Sequence, residues 1–158
     1  MTNMKTLLAL IALSAAATSL AAPTTPTILD AKPSAIVDLL KNEGYKPEFK
    51  PGDDKTSPSI TVKSEGNSFY LYFTGCKDGV CKRLSTTNGF ERPSKADDLA
   101  AKITAWNAKW YSQAYEEKDG SVYLDASYVL TGGFTAANFL AWFDAYKTEY
   151  DEFTNTIY

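Results

Sequence analysis

Three stretches of the chain repeat their apolar side chains every three or four residues, which is the period of an amphipathic helix. The first runs from Pro33 to Glu43 and the second from about Lys95 to Lys109. The third follows Thr135, a residue type favoured as an N-cap, and continues toward the C-terminus. Its apolar stripe is aromatic and consists of Phe139, Phe143, Tyr146, Tyr150 and Phe153. The pattern predicts three helices.

The segments between these helices alternate apolar and polar residues and are separated by turn residues, as strands are. Six strands are predicted, over residues 45–50, 59–64, 69–73, 81–87, 112–117 and 122–130. The third is apolar or aromatic at every position, which predicts that both of its faces are covered. Asp-Gly pairs at 78–79 and 119–120 predict two hairpin turns. Because the strands do not alternate singly with helices, the predicted fold class is α+β with an antiparallel sheet.

The N-terminal segment has the three parts of a secretory signal peptide: Lys5, an apolar run from Leu7 to Leu13, and small residues up to Ala21. The apolar run is shorter than the ~20 residues of a spanning helix, which disfavours an uncleaved anchor. We therefore expect a signal peptide at 1–21, a flexible exit segment at 22–27 and a single domain at 28–158. The mature protein is expected to be periplasmic or secreted and to lack a membrane span.

The charge balance is mildly acidic, with 16 Lys and Arg against 19 Asp and Glu, and the signal peptide removes only Lys5. Nucleic-acid binding needs clustered basic side chains, and the densest basic pair here is Lys82-Arg83. No nucleic-acid partner is therefore expected.

The two cysteines of the chain, Cys76 and Cys81, lie on either side of a predicted hairpin turn. In an oxidising compartment an even cysteine count indicates a disulfide, which would stabilise this short loop by about 2 kcal/mol. A redox switch is the alternative, since Lys77, Lys82 and Arg83 would favour thiolates. The spacing is not that of a CxxC oxidoreductase, and two thiolates in a chain without His do not complete a zinc site.

The sequence contains no motif that indicates catalysis. Four acidic pairs could in principle supply a general acid and base, at 53–54, 97–98, 116–117 and 151–152, but the first three lie where turns and helix starts favour acids. A Ser or Cys triad lacks its His, and Gly132-Gly133 lacks the pattern of a phosphate loop and indicates a turn. We expect no catalytic, cofactor-binding or metal-binding residue, and no cofactor.

Aromatic residues are concentrated in the C-terminal half, and most of them are expected in the core. Leu140 and Trp142 flank the main stripe of the last helix, so that helix is apolar around more than one face. Such a helix is either deeply buried or contacts a partner, and Trp is a residue that interfaces favour. Core packing is favoured for these side chains, and a partner surface is the alternative.

Four strings, taken in order, resemble the YbjN family of bacterial proteins, which are labelled as sensory transduction regulators. They are Leu40-Lys41-Asn42-Glu43-Gly44-Tyr45, Phe73-Thr74-Gly75-Cys76-Lys77-Asp78-Gly79-Val80-Cys81, Ala105-Trp106-Asn107 and Gly132-Gly133-Phe134-Thr135. The resemblance implies a fold similar to type III secretion chaperones, with a curved antiparallel sheet flanked by helices in the order α-β-β-β-β-α-β-β-α. It also implies a binding or regulatory role without catalytic residues.

The chain departs from the family at Trp110-Tyr111, where a basic or small polar residue is expected. This difference indicates either altered packing or a contact surface specific to this chain. The possible partner surface is thus Trp110, Tyr111, Leu140 and Trp142. The functional hypothesis is an exported, non-enzymatic binding or regulatory module of the bacterial envelope that recognises a protein or peptide, or a second copy of itself. An exported redox-active thiol protein or a carboxylate-dependent hydrolase is the alternative.

Overall fold

The structure, a computed structural model, describes residues 25–94 and 97–158. The predicted signal peptide and residues 22–24 of the exit segment lie outside the described residues. The elements follow the predicted order: α1 (Pro33–Asn42), β1 (Glu48–Lys50), β2 (Ser59–Ser64), β3 (Asn67–Thr74), β4 (Arg83–Phe90), α2 (Leu99–Lys109), β5 (Gln113–Glu116), β6 (Val122–Val129) and α3 (Ala136–Ile157). This confirms the α+β class.

The six strands form one antiparallel sheet in the order β1-β2-β3-β4-β6-β5. Strands β1 to β4 are sequential neighbours, as in a meander. The chain then passes through α2 and returns along the outside of the sheet as β5, so that β6 can pair with β4. Strand β6 is consequently placed between a long partner and a short one.

Packing of α3 against one face of the sheet forms the centre of the core. The predicted aromatic stripe is confirmed: Phe139, Phe143, Tyr146 and Phe153 are buried and Tyr150 is half-buried. Phe69 of β3 meets this stripe edge-on, with ring centroids 5.8 Å from Phe143 and 5.3 Å from Tyr150. Each such aromatic pair contributes about 0.5–1.5 kcal/mol beyond the area it buries.

The prediction that both faces of the third strand are covered is wrong. In β3, Phe69, Leu71 and Phe73 are buried, whereas Tyr70 and Tyr72 are 40% and 38% exposed. The reason is that tyrosine is apolar in its ring but keeps its hydroxyl hydrated, so it suits a solvent-facing strand position as well as a core one. The sheet therefore has one covered face and one face open to solvent.

Several element ends differ from the predicted ones. Strand β1 begins at Glu48 rather than at residue 45, and β4 occupies Arg83–Phe90 rather than 81–87. Helix α2 begins at Leu99, and the predicted start at Lys95 lies outside the described residues. The predicted cap of the last helix is confirmed, since Asn138 N–H donates to Thr135 Oγ1 at 3.2 Å.

No helix in the described ranges combines the length and the apolar character that crossing a bilayer requires.

The segment before α1 is fastened to the start of α3 at a glycine. Leu29 and Phe134 exchange two backbone hydrogen bonds, of 2.7 and 3.1 Å. Gly133 adopts φ +92°, and a Cβ placed on it would lie 2.7 Å from the carbonyl oxygen of Leu29. Gly132, with φ +88°, has open space at the same position. The two glycines form a turn as predicted, but only the second is also required by a close approach of backbone.

This difference can be tested with Gly133→Ala and the matched control Gly132→Ala. Both place alanine in the left-handed region, at a cost of about 1–2 kcal/mol, but only Gly133→Ala also collides with Leu29, which adds about 1–3 kcal/mol. Urea unfolding followed by circular dichroism should rank Gly133→Ala as the less stable variant. Equal loss in both variants would contradict the close approach.

Candidate functional site

A groove of about 630 Å³ lies where β5 stops short of β6, against the side of α3. We call it the edge groove. Residues that line it and are used below are Tyr111, Asp125, Ser127, Trp142, Ala145 and Glu149. They come from the segment before β5, from β6 and from α3, so the groove is built by elements that are remote in sequence.

The groove exists because β5 pairs with only half of β6. The last residue pair is Gln113 with Asp125, whereas β6 continues to Val129 beside β4. Immediately before β6, the backbone of Ser121 faces the β5 side, since its carbonyl accepts the N–H of Glu117 at 2.8 Å. Immediately after β6, the backbone of Leu130 faces the β4 side, since its N–H donates to the carbonyl of Lys82 at 2.9 Å.

Strand hydrogen bonds alternate in direction along the chain, so odd-numbered residues of β6 face the β5 side. Ser127 and Val129 are the odd-numbered residues beyond the end of β5, and both are exposed. The register gives them no partner strand on that side within the described residues. They form a short open edge of the sheet.

The outer edge of β5, in contrast, is closed by a side chain of α2. Asn107 Oδ1 accepts the N–H of Ala114 at 2.7 Å, and Asn107 Nδ2 donates to the Ala114 carbonyl at 2.9 Å. The amide thus reproduces the pair of bonds that a neighbouring strand would make. Exposed edges invite pairing with other chains, and this contact protects one of them.

A buried network holds the wall of the groove that precedes β5. Trp106 Nε1–H donates to Ser112 Oγ at 3.2 Å, and Ser112 N–H donates to Glu149 Oε2 at 2.8 Å. Ser112 is 1% exposed, but the adjacent Tyr111 is 94% exposed. The chain is therefore fixed at Ser112 while the Tyr111 ring projects beside the groove.

Two carboxylates line the groove. Glu149 is only 5% exposed, and its one hydrogen bond within the described residues comes from the neutral N–H of Ser112. Asp125 accepts from Tyr115 Oη at 3.2 Å through Oδ2, and its Oδ1 is buried without a partner among the described residues. Burial, with help from the Asp125 charge, raises the pKa of Tyr115 to about 12. Tyr115 therefore remains a neutral donor to Asp125 at neutral pH.

The predicted partner surface is divided by the structure. Tyr111 and Trp142 both line the edge groove. Trp110 instead stacks on Trp106, with ring centroids 5.0 Å apart, and Leu140 is half-buried against the core. Whether any of these residues contacts a partner stays a prediction, but only two of the four share one site.

Sequence reasoning missed Glu149, Asp125 and the open edge. A signal for Glu149 was present, because Trp142, Ala145 and Glu149 are spaced by three and four residues and therefore share one helix face. Asp125 gave no comparable signal, and the open edge depends on the length of β5 relative to β6.

Cys76 and Cys81 form the predicted disulfide. It closes the hairpin between β3 and β4, in which Lys77 and Val80 exchange backbone bonds of 2.8 and 3.0 Å around Asp78-Gly79. Cys81 is 1% exposed, and its N–H donates to the Ala31 carbonyl at 2.7 Å. The disulfide thus ties the hairpin next to the point where the segment before α1 is held.

The acidic pairs weighed for hydrolytic chemistry, at 53–54, 97–98, 116–117 and 151–152, are all exposed, and none lines the edge groove. Asp53 accepts two backbone N–H groups of its own turn, from Lys55 and Thr56, and the first of these bonds is the main cause that lowers its pKa. Glu116 pairs with Arg92 at 2.6 Å.

Within the described residues no group of three or more Cys, Asp or Glu side chains is placed to hold a metal ion.

Comparison with known proteins gives a family and a fold. The family model for YbjN, described as "Putative bacterial sensory transduction regulator", matches residues 32–158. A crystal structure of YbjN from E. coli, there called "a putative transcription regulator", is similar with a TM-score of 0.56 and 15% sequence identity. The similarity covers 83% of this chain and 92% of that chain. No curated protein matches in sequence.

The contribution of the disulfide can be measured with a Cys76→Ser, Cys81→Ser double variant. Loss of the short loop closure should lower the free energy of unfolding by about 2 kcal/mol, as judged by urea unfolding with the oxidised wild type as reference. The reduced wild type serves as the matched control and should lose a similar amount. An unchanged stability in both would contradict a structural role and favour the redox alternative.

Proposed function

Because the chain belongs to the YbjN family, described as bacterial sensory transduction regulators, we propose that it is a non-enzymatic module that binds a protein or peptide partner in the bacterial envelope. Its binding site is the edge groove. The observation that carries the proposal is the coincidence, in one place, of an open strand edge, an exposed aromatic ring and a cavity.

The groove suits a polypeptide better than a small molecule. It is open along the sheet edge, where Ser127 and Val129 offer backbone donors and acceptors in the spacing of a strand. Peptides that add to a sheet edge gain affinity from such groups and specificity from side-chain pockets. Tyr111 and Trp142 supply rings of the types that dominate interface energetics.

The proposal places the protein outside the cytoplasm. The N-terminal segment has the composition of a secretory signal, and the Cys76–Cys81 disulfide suits an oxidising compartment. An exported regulator has no direct access to DNA or to cytoplasmic kinases, and the chain carries a net charge of −3. Regulation would therefore proceed through envelope proteins.

The binding proposal is tested by selecting peptides from a displayed library on wild-type protein and measuring their affinity for two variants. Tyr111→Ala should weaken binding about tenfold or more, as expected when an aromatic anchor is truncated. The matched control is Phe49→Ala, which removes a 45% exposed ring from β1 at the opposite end of the sheet and should leave affinity unchanged.

Both variants remove exposed rings, so neither is expected to change the unfolding free energy by more than about 0.5 kcal/mol. Peptides that bind both variants as tightly as the wild type would place the site elsewhere. A library that yields no binder at all would count against a peptide-binding function.

The proposed location is tested by mass spectrometry of the protein isolated from the envelope fraction of its host. We expect an N-terminus at Ala22 and a mass that corresponds to paired cysteines. An intact Met1 together with free thiols would refute both the export and the oxidising compartment.

A further inference from the structure

We infer that the edge groove takes an extended peptide segment with a Lys or Arg side chain, which adds to β6 as a strand and places its cation against Glu149. The inference rests on the proposed function and names the chemical class of the partner.

The strand component follows from the geometry of β6. Four residues, 126–129, continue past the end of β5, and at about 3.3 Å per residue they offer room for a strand of similar length. An incoming segment would continue the line of β5 beside β6, beyond the point at Ser112 where the chain turns away from the sheet edge. It would complete the hydrogen bonding of Ser127 and Val129.

The cationic component follows from the charge of the groove. Of the described residues that line it, two are acidic, Asp125 and Glu149, and none is a Lys or Arg. No ion pair within the described ranges involves Glu149, although the residue is only 5% exposed. A buried carboxylate is costly unless a cation accompanies it, so a bound Lys or Arg would supply what the isolated chain lacks.

The walls fit a long basic side chain. Side chains of an added strand alternate between the two faces of the sheet, and those on the helix-covered face would meet α3. Ala145 leaves space between Trp142 and Glu149 on that helix face. The methylene groups of Lys or Arg can lie along the Trp142 ring while the charged end reaches the carboxylate.

A second copy of the chain fits less well as the occupant. Pairing of two β6 edges would bring two grooves of the same negative charge together, and like charges at an interface disfavour association. An oppositely charged partner gains from the same arrangement. Charge complementarity therefore favours a basic peptide over self-association.

The test uses short, end-blocked peptides of alternating valine and threonine whose central residue is lysine, norleucine or glutamate. A fourth peptide carries lysine and N-methyl groups on alternate backbone nitrogens, which removes donors needed for strand pairing. Affinities are measured by isothermal titration calorimetry against wild type, Glu149→Gln and Val129→Pro. Glu149→Gln keeps an oxygen to accept from Ser112, and Val129→Pro removes an N–H that faces the open edge.

We expect the lysine peptide to bind wild type at least about tenfold more tightly than the norleucine peptide, and the preference to disappear in Glu149→Gln. N-methylation of the peptide and Val129→Pro should each abolish binding. The comparisons of the lysine peptide with the norleucine, glutamate and N-methylated peptides change only the peptide. They therefore remain valid even if a protein variant folds poorly.

Three outcomes overturn the inference. The norleucine or glutamate peptide could bind as tightly as the lysine peptide, with binding still weakened by Tyr111→Ala. That result would support the peptide-binding function but refute the requirement for a cation. Undiminished binding of the N-methylated peptide would remove strand addition. A dimer seen in analytical ultracentrifugation and lost in Val129→Pro would make a second copy the occupant. If library-selected peptides also fail to bind, both this inference and the proposed function are refuted.

Discussion

The packing of α3 on the covered face of the sheet positions elements on both sides of it. Its aromatic stripe meets Phe69 and Phe90 from two strands and Trp106 from α2, with ring centroids 5.0–5.8 Å apart. The Tyr146 hydroxyl, whose pKa burial raises, donates within the core to the Leu124 carbonyl at 2.8 Å. This helix therefore determines where β6 and α2 lie, and it also carries Glu149 to the edge groove.

The groove is a consequence of how β5 is held. Asn107 pairs with Ala114 on one side, and the Trp106–Ser112–Glu149 network fixes the chain immediately before the strand. These contacts protect the outer edge of the sheet but also end β5 after four residues. The longer β6 is left with an open stretch. The string Ala105-Trp106-Asn107, one of those by which the sequence resembles the family, thus has a structural role next to a candidate binding site.

Much of the fold could be predicted from local pattern. The last helix followed from a stripe of five aromatic residues and a Thr135 cap, and the disulfide followed from an even cysteine count in a chain that is expected to be exported. The family resemblance is confirmed. The prediction for β3 was wrong because tyrosine at Tyr70 and Tyr72 satisfies both an apolar and a solvent-facing position. The partner surface was predicted only in part, since aromatic content does not tell whether a ring packs on a neighbour, as Trp110 does on Trp106.

Local pattern was enough to predict the order of helices and strands and the family, because both depend on periodicity and on neighbours along the chain. The disulfide between Cys76 and Cys81 was predicted from the cysteine count and the expected compartment. The end of β5 opposite Asp125 and the burial of Glu149 beside the open part of β6 became known only from the folded structure. The physical reason is that a strand's partners and a side chain's burial are set by contacts between elements far apart in sequence. Neither the length mismatch of β5 and β6 nor the absence of Lys and Arg from the described lining of the groove can be inferred from a local pattern.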